Sequence, residues 1–296
     1  MKWRIEKQAH LCRAGGLAGE YQKLPEGTRP LVMRGEFKER KQDYFSRTPM
    51  KRFFVNTEQL LADRISVTGA EARHIVDVLR LRAGERIRLL DGTGAQCLAE
   101  IEATDRDRVD CLILERSGAS DCLNVRLVVA QALLKAPKMD ELVRKMTELG
   151  VAAWVPFVAR RSVPLLDSER LGRRNSRWER IVREAAKQCK RSIIPPVGPC
   201  LSFRELIETS ASYDAKIVFR EKETEPLSAD LKKKVGAQGS VLVVIGPEGG
   251  FEREEIEHFA RAGFQFAGLG PRTLRAETAA IAACTLVQYL VGDMAT

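Results

Sequence analysis

The chain has 296 residues, of which 44% are hydrophobic and 30% are charged, the balance of a globular protein long enough for two domains. No apolar run approaches the ~20 residues that a membrane helix needs, and the N-terminus lacks the apolar core of a secretory signal, so we expect a cytosolic protein without a membrane segment. The net charge of +9 favours a partner that carries phosphates.

The seven cysteines and three histidines make a metal site or a disulfide framework a weak hypothesis. The cysteines lie far apart and form no CxxC pair, whereas zinc sites and small disulfide-linked domains need closer spacing. We therefore expect reduced, structural cysteines and no bound metal.

Residues 1–49 differ in character from the rest of the chain. They are polar, rich in glycine around positions 15–19, and show no sustained period of 2 or 3.6 residues. This pattern predicts a poorly ordered extension. The segment that Met50 opens has the character of a folded domain, and Met50 is therefore a candidate for the true start of the protein.

Residues 50–120 predict a small β-rich domain. Strands are expected at 53–55, 86–90, 95–103 and 109–114, and a helix at 71–81. Asp91-Gly92-Thr93-Gly94 is a hairpin signal between two of these strands. Short strands joined by tight turns indicate a small barrel.

Residues 121–296 predict an α/β domain, because strands and helices alternate along the chain. Strands are expected at 125–130, 151–158, 216–219, 241–245 and 266–269, and helices at 138–149, 177–190, from about 251, and 278–291. The last helix is apolar on nearly all sides, which predicts burial against another element or another subunit.

One stretch of this domain is strongly basic. Residues 160–191 contain eleven arginines and lysines against four acids, and arginine, which suits bidentate phosphate contacts, predominates. A solvated helix face is the alternative, although such faces usually mix charges of both signs. RNA-contact candidates on the predicted helix are Arg177, Arg183 and Arg191.

The predicted strand at 241–245 runs into Gly246-Pro247-Glu248-Gly249-Gly250, which we call the first Gly-Pro loop. It has neither the Lys-Ser/Thr of a P-loop nor the GxGxxG of a dinucleotide fold. Glu248 and the acids at 252, 254 and 255 would repel a phosphate, so the loop suits a neutral or cationic ligand such as the sulfonium of S-adenosylmethionine. A plain tight turn followed by helix-capping acids explains the same residues.

A second Gly-Pro loop, residues 270–275, follows the predicted strand at 266–269. Parallel strands end at one edge of a sheet, where open α/β sheets bind ligands. Arg272 and Arg275 are three residues apart and are expected to project toward that crevice. The structural alternative is that Arg275 pairs with Glu277 or Glu248.

The segments IGPEGGFEREEI (245–256) and LGPRTLRAETA (269–279) closely resemble the paired signatures of the ribosomal RNA small-subunit methyltransferase E family, within the SPOUT superfamily. Supporting matches are KMDELVRKMTELGV (138–151), RWERIVREAAKQCKR (177–191), HIVDVLRLRAGERI (74–87) and MKRFFV (50–55). The resemblance extends from Met50 to near the end of the chain, and residues 1–49 fall outside it.

The resemblance implies an α/β protein with a trefoil-knotted SPOUT methyltransferase domain over 121–296 and a PUA-like, RNA-binding β-barrel over 50–120. It also implies a homodimer packed through the knot region and an S-adenosylmethionine site built from three knot loops. The implied donor-binding residues are Phe219, Ile245, Gly246, Pro247, Glu248, Gly249, Gly250, Leu269, Gly270, Leu274 and Arg275. Implied RNA contacts on the barrel are Arg52, His74, Arg80 and Arg82, with a buried helix position as the alternative for His74.

The implied reaction is methyl transfer to N3 of uridine 1498 in 16S RNA of the small ribosomal subunit. N3 is protonated and lies on the Watson–Crick edge, so the base must be unpaired or flipped out. Arg272 and Arg275 would supply positive charge for the developing uridine anion. Glu277 and Glu248 are candidates for the general base, but Glu248 has the alternative role of orienting its loop.

Three other functions remain as alternatives. A ribosome-binding factor without catalysis would predict degraded loops, and both Gly-Pro loops are complete. A SPOUT enzyme that acts on transfer RNA is disfavoured by the PUA-like domain and the MKRFFV and VLRL motifs. A phosphate-binding enzyme is disfavoured by the acids of the first loop.

Overall fold

The computed structural model describes residues 50–118, 125–163, 167–221, 223–228 and 230–294. The proposed extension, residues 1–49, lies outside the described residues, as does most of the predicted boundary between the barrel and the α/β domain. Residues from Met50 onward belong to one compact unit that contains two separate sheets.

The strands of the first sheet are β1 (Arg52–Phe54), β2 (Arg64–Thr68), β3 (Arg86–Leu90), β4 (Gln96–Asp105) and β5 (Arg108–Ser117). Those of the second are β6 (Arg126–Ala132), β7 (Ala153–Val158), β8 (Leu201–Ser202), β9 (Ala215–Phe219), β10 (Ser240–Ile245) and β11 (Gln265–Ala267). The α-helices are α1 (Gly69–Arg73), α2 (Ala136–Glu148), α3 (Ser168–Gln188), α4 (Phe203–Thr209), α5 (Leu231–Val235), α6 (Arg253–Arg261) and α7 (Ala276–Val291). Two 3-10 turns lie at Thr57–Leu61 and Ser210–Ser212, and a π-helical turn at His74–Val78.

The first sheet has the order β1-β3-β4-β5-β2, with β1 parallel to β3 and the other pairs antiparallel. The predicted hairpin joins β3 to β4, where the Asp91 carboxylate accepts hydrogen bonds from the backbone N–H groups of Thr93 and Gly94. Sequence reasoning missed β2, although Ile65 and Val67 alternate into the core as a half-buried strand requires.

The helix predicted at 71–81 is a composite element. It begins at Gly69 as α1, continues as the π-helical turn and ends at Val78, and Arg80 then takes a left-handed φ of 53°. Residues 79–81 are therefore not helical, which corrects the predicted end. The spacing of Ile75 and Val78 in the sequence does not reveal the change from an α-helix to a π-helical turn. Val78 is exposed rather than buried.

The second sheet is parallel throughout, in the order β11-β9-β10-β6-β7-β8. Along β10, Val241, Val243 and Ile245 pack into a core shared with α2, α3, α5 and α7. The intervening Leu242 and Val244 pack on the opposite face with α4 and α6. Both faces are covered, which explains why the central strands are continuous apolar runs.

The basic helix, α3, begins at Ser168, nine residues before the predicted start, and Asp167 caps it by accepting a hydrogen bond from the Arg170 backbone N–H. Residues 168–176 lack the apolar periodicity on which the prediction relied. The last turns of α3 contact the barrel, where Lys187 Nζ lies 2.5 Å from Glu71 Oε1 and the Arg183 guanidinium lies over the Phe54 ring.

The last helix, α7, packs against α2, α5 and the strands β6 and β10, which confirms its predicted burial against another element. Ala280, Ala283 and Val287 on its inner face are buried, whereas Leu286 and Tyr289 are 43% and 61% exposed. No helix among the described residues is both long and apolar enough to cross a bilayer. All five cysteines in the described segments are free thiols.

Candidate active site

A cleft of about 710 Å³ opens at the carboxyl edge of the second sheet. The ends of three strands meet there, because Ile245 of β10 pairs with Phe219 of β9 and with Gln131 of β6. The lining residues come from both Gly-Pro loops, from the segment after β9, and from α2 and the segment after β7. They are Lys138, Arg161, Phe219, Arg220, Glu221, Ile245, Gly246, Pro247, Glu248, Gly249, Gly250, Phe251, Arg253, Ile256, Thr273, Leu274, Arg275, Ala276 and Ala279.

The first Gly-Pro loop is held by side chains from outside it. Gln131 Nε2 donates to the Gly246 carbonyl at 3.2 Å, and Arg161 Nη1 donates to the Gly249 carbonyl at 2.9 Å. A Cβ at Gly249 would lie only 3.2 Å from Arg161 Cβ, and Gly250 has a φ of +67°, which favours glycine. The loop backbone therefore lines the cleft at positions where side chains fit poorly.

Three of the four acids near this loop belong to the fold. Glu252 caps α6 in a capping box with Glu255. The buried Glu255 carboxylate also accepts a hydrogen bond from the Arg160 backbone N–H, and the Arg160 guanidinium pairs with Glu252 and Glu254. The helix-capping alternative therefore accounts for Glu252 and Glu255, and Glu254 pairs with Arg160. Glu248 is different, because its side chain turns toward Lys138.

The second Gly-Pro loop contributes Thr273, Leu274 and Arg275 to the cleft wall, whereas Leu269, Gly270 and Arg272 are absent from it. Arg275 is the N-cap residue of α7. Within the described residues, its guanidinium has neither a hydrogen bond nor an ion pair. The expected alternative partners of Arg275, Glu248 and Glu277, instead pair with Lys138.

Lys138 was not predicted as a site residue. It is the third residue of α2, and its Nζ lies 3.2 Å from Glu248 Oε1 and 3.2 Å from Glu277 Oε2. The two carboxylates raise the pKa of Lys138. Its place near the start of a helix at the ligand-binding edge of the sheet is a signal that sequence reasoning had available.

Glu277 lies behind Lys138 and does not line the cleft. Burial by itself raises the pKa of this carboxyl, but a hydrogen bond from its own backbone N–H and the nearby charges of Lys138 and Arg275 outweigh burial and lower the pKa. Glu277 is therefore a carboxylate at neutral pH and a weak base. A general base works best with a pKa near the working pH, which disfavours Glu277 in that role.

Arginines from four separate segments line the cleft: Arg161, Arg220, Arg253 and Arg275. Sequence reasoning identified the last of these. Arg220 lies over the Phe266 ring at 5.6 Å, and Arg253 pairs with Glu257. The positive charge that was expected from the second Gly-Pro loop is therefore supplied mostly by arginines that are distant from that loop in sequence.

The arginines proposed for RNA contact on α3 and just after it all have partners within the fold. Arg177 pairs with Asp140 at 2.7 Å, Arg183 lies over Phe54, and Arg191 donates to the carbonyls of Thr147 and Val151. Arg191 thereby donates to a carbonyl in the last turn of α2, where backbone acceptors lack a partner within the helix. Contact between these three arginines and RNA stays a prediction.

The barrel candidates differ in exposure. Arg80 and Arg82 are exposed, whereas His74 is half-buried with its ring edge-on to Phe53. Arg52 donates to the Lys190 carbonyl at the end of α3. Their contact with RNA also stays a prediction.

Comparisons with known proteins identify relatives of both parts of the chain. A family model described as an RNA methyltransferase domain matches residues 121–288, and one described as an RNA methyltransferase PUA domain matches residues 67–114. The ribosomal RNA small subunit methyltransferase E of Bacillus subtilis is 34% identical, and the match covers 81% of this chain and 96% of that protein. The protein of the same name from Synechocystis is 30% identical, with 81% of this chain and 78% of that protein covered.

Solved structures give the same result. A ribosomal RNA small subunit methyltransferase E from Neisseria gonorrhoeae, bound to S-adenosyl methionine, is 30% identical with a TM-score of 0.74. The match covers 83% of this chain and 99% of that one. A putative methyltransferase from Legionella pneumophila, in complex with the bound cofactor SAM, is 27% identical with a TM-score of 0.75 and coverage of 83% and 100%.

Proposed function

This chain belongs to the ribosomal RNA small subunit methyltransferase E family of the SPOUT superfamily, and from that membership we infer its donor, target and assembly. It is a ribosomal RNA methyltransferase. The predicted fold class is confirmed: an α/β, SPOUT-type knotted methyltransferase domain follows a PUA-like barrel. We keep 50–120 and 121–296 as the proposed bounds of these two domains.

S-adenosylmethionine is the methyl donor, and the cleft fits it. The wall contains three glycines of one loop, which leave room for the donor to approach the backbone. Nine of the eleven residues expected to bind the donor line the cleft, and Leu269 and Gly270 do not. When bound, S-adenosylmethionine supplies an electrophilic methyl group on a positively charged sulfur.

We propose that the acceptor is N3 of uridine 1498 in 16S RNA of the small ribosomal subunit. N3 can attack the methyl group only as its proton leaves, and loss of that proton puts negative charge on the uracil ring until the new N–CH3 bond forms, so a nearby cation lowers the barrier. Arg275 is better suited than Arg272, because it lines the cleft and its guanidinium has no partner among the described residues. Both carboxylates are already paired with the Lys138 ammonium, which makes them weaker bases, and Glu277 does not line the cleft.

The RNA would extend from the cleft along α3 to the barrel, with Arg177, Arg183, Arg191, Arg52, His74, Arg80 and Arg82 as proposed contacts. The proposed homodimer packs through the knot region. The exposed Leu286 and Tyr289 on α7 support this, because apolar side chains on an otherwise buried helix favour a further packing partner.

The observation that carries the proposal is the cleft with an intact, glycine-lined donor loop facing an Arg275 that has no polar partner among the described residues. The test is to incubate the purified protein with S-adenosylmethionine and, separately, small ribosomal subunits, free 16S RNA and transfer RNA, and to map the methylated base by mass spectrometry. We expect 3-methyluridine in 16S RNA. Methylated transfer RNA would instead support the transfer RNA alternative, and donor binding without methylation would support the non-catalytic factor.

A further inference from the structure

The cluster of Lys138, Glu248 and Glu277 joins three segments that are far apart in sequence. Lys138 is in the first turn of α2, Glu248 is in the first Gly-Pro loop, and Glu277 is in the first turn of α7. The side chains are 29%, 36% and 22% exposed, so the two contacts of Lys138 are partly shielded from solvent. Partly shielded ion pairs are screened less by salt than exposed ones.

Each carboxylate belongs to a segment with a proposed role: Glu277 is close in sequence to Arg275, and Glu248 is part of the first Gly-Pro loop. Glu277 follows Arg275 by two residues, and the Arg275 carbonyl accepts the first intrahelical hydrogen bond of α7, from the Ala279 N–H. Glu248 lies between Pro247 and Gly249, whose backbone lines the donor side of the cleft. The Lys138 ammonium group therefore connects the first Gly-Pro loop to the N-terminal end of α7, which carries Arg275.

The first Gly-Pro loop is also held by hydrogen bonds that do not involve Lys138. Gln131 and Arg161 hold the carbonyls of Gly246 and Gly249. In the first turn of α7, by contrast, Lys138 is the one side chain from another element that forms an ion pair, and the Arg275 guanidinium has neither a hydrogen bond nor an ion pair within the described residues. Loss of Lys138 should therefore affect the position of Arg275 more than the shape of the donor loop.

We propose that Lys138 is a positioning residue for methyl transfer, which fixes Arg275 relative to the donor loop by pairing with Glu248 and Glu277 together. This inference rests on the proposed function, since Arg275 matters to turnover only if the chain transfers a methyl group. Lys138 is not expected to touch the reacting atoms. Its contribution is orientation, and displacement of a catalytic group by about 1 Å can cost on the order of a hundredfold in rate.

The test compares Lys138→Met with Lys138→Arg and with Lys145→Met. Lys145 is a matched control, because it lies on the same helix and pairs with Glu148 at 3.2 Å, away from the cleft lining. We expect Lys138→Met to lower kcat by roughly ten- to a hundredfold and to change the S-adenosylmethionine dissociation constant much less. Lys138→Arg keeps the charge and should recover part of kcat, and Lys145→Met should match the wild type.

A second readout needs neither donor nor RNA. Hydrogen exchange of the amides at 279–281, the first in α7 that are bonded within the helix, should be faster in Lys138→Met than in Lys145→Met, while the exchange rates of the amides at 246–250 change less. A Lys138→Met, Glu277→Gln double variant should have a kcat no lower than the worse of its two single variants, because interactions within one cluster are not additive.

The two hypotheses fail in different ways. If the wild type transfers no methyl group to any RNA offered, the proposed function is wrong. If the wild type is active and Lys138→Met matches Lys145→Met in kcat, or the exchange at 279–281 is unchanged, the positioning role is overturned. A loss of donor affinity as large as the loss of kcat would also overturn it, because Lys138 would then serve binding.

Discussion

The two Gly-Pro loops have similar sequences but opposite relations to the rest of the molecule. In the first, the backbone is held by Gln131 and Arg161, and the acids that follow it cap α6 or pair with Arg160. In the second, Arg275 reaches the cleft without a polar partner in the described residues. If the first loop binds the donor through its backbone and Arg275 meets developing charge, as we propose, then the binding loop is fixed before the ligand arrives and the second loop keeps its cation available.

The largest effect on turnover should come from replacing Arg275, whose guanidinium has no polar partner among the described residues. Arg275→Lys keeps a positive charge but loses the planar guanidinium fork. We expect turnover to fall by about 3–4 kcal/mol of barrier, on the order of a hundred- to a thousandfold, with little change in donor or RNA affinity. Single-turnover methylation, measured beside thermal unfolding, tests this.

Arg272→Lys is the control for that comparison, since Arg272 lies outside the cleft lining and should have the smaller effect. Near-normal turnover in Arg275→Lys together with a lowered melting temperature would assign Arg275 to the fold rather than to chemistry.

The next largest effect, on donor affinity, should come from a substitution in the first Gly-Pro loop. The sequence suggests that Gly249→Val would occupy the donor's place, but the new Cβ would meet Arg161, whose Cβ and Cδ lie at 3.2 and 3.3 Å. Overpacking there typically costs about 1–3 kcal/mol, roughly ten- to a hundredfold in donor affinity if the loop is displaced. Calorimetric titration with S-adenosylmethionine measures the change.

The clash with Arg161 has its own control. If it is the cause, adding Arg161→Ala to Gly249→Val should restore part of the affinity beyond what Arg161→Ala shows alone. Unchanged donor affinity in a folded Gly249→Val protein would remove the loop from the donor site.

A smaller effect on RNA binding should come from the three arginines of the basic stretch that have partners within the fold. Replacing Arg177, Arg183 and Arg191 by Ala should weaken RNA binding and reduce the log–log salt slope by roughly 0.7–0.9 for each arginine that neutralises a phosphate. Arg191→Ala alone should also destabilise the fold, since its hydrogen bonds to the Thr147 and Val151 carbonyls are charge-assisted and each is typically worth about 1.5–3 kcal/mol.

Filter binding across a salt series, beside denaturant unfolding, separates these contributions. A slope that stays the same in the triple variant would mean that the three arginines serve the fold. Arg180, which is exposed and has no ion pair among the described residues, would then be the better candidate for phosphate contact.

The smallest effect concerns pH. The folded protein holds the pKa of Glu277 below its ordinary value of 4.5, so the group contributes stability above that value and loses the contribution as pH falls through the lowered pKa. Glu277→Gln should therefore differ most from the wild type above pH 4.5 and converge with it in stronger acid. Melting curves of both proteins across the acidic range test this, and curves with a constant difference would contradict it.

Much of this architecture can be predicted from the sequence, because the dominant signals are local. The apolar strands, the hairpin at 91–94 and both Gly-Pro loops each depend on a short run of residues. The resemblance then supplies the fold class. The start of α3 was missed because a cap and a polar turn precede its apolar face.

The site could be predicted only in part, because its remaining features depend on pairing between distant segments. The sequence suggests Arg275 as a partner for Glu277 or Glu248, but the fold brings Lys138 to both. Arg161 and Arg220 reach the cleft from the ends of other strands. Arg191 looks like part of a basic surface until its hydrogen bonds to the end of α2 are known.

The contact between α3 and the barrel has a consequence for target choice. Helix α3 has 21 residues, which corresponds to about 31 Å, and the barrel contacts its last turns through Glu71 and Lys187. Helix α3 also packs along α2, where Trp178 Nε1 donates to Asp140, and α2 carries Lys138 in the cleft wall. If the barrel holds RNA as we propose, these two packed helices fix the distance between the bound RNA and the cleft. A change in their packing would then redirect methylation to another base rather than abolish it.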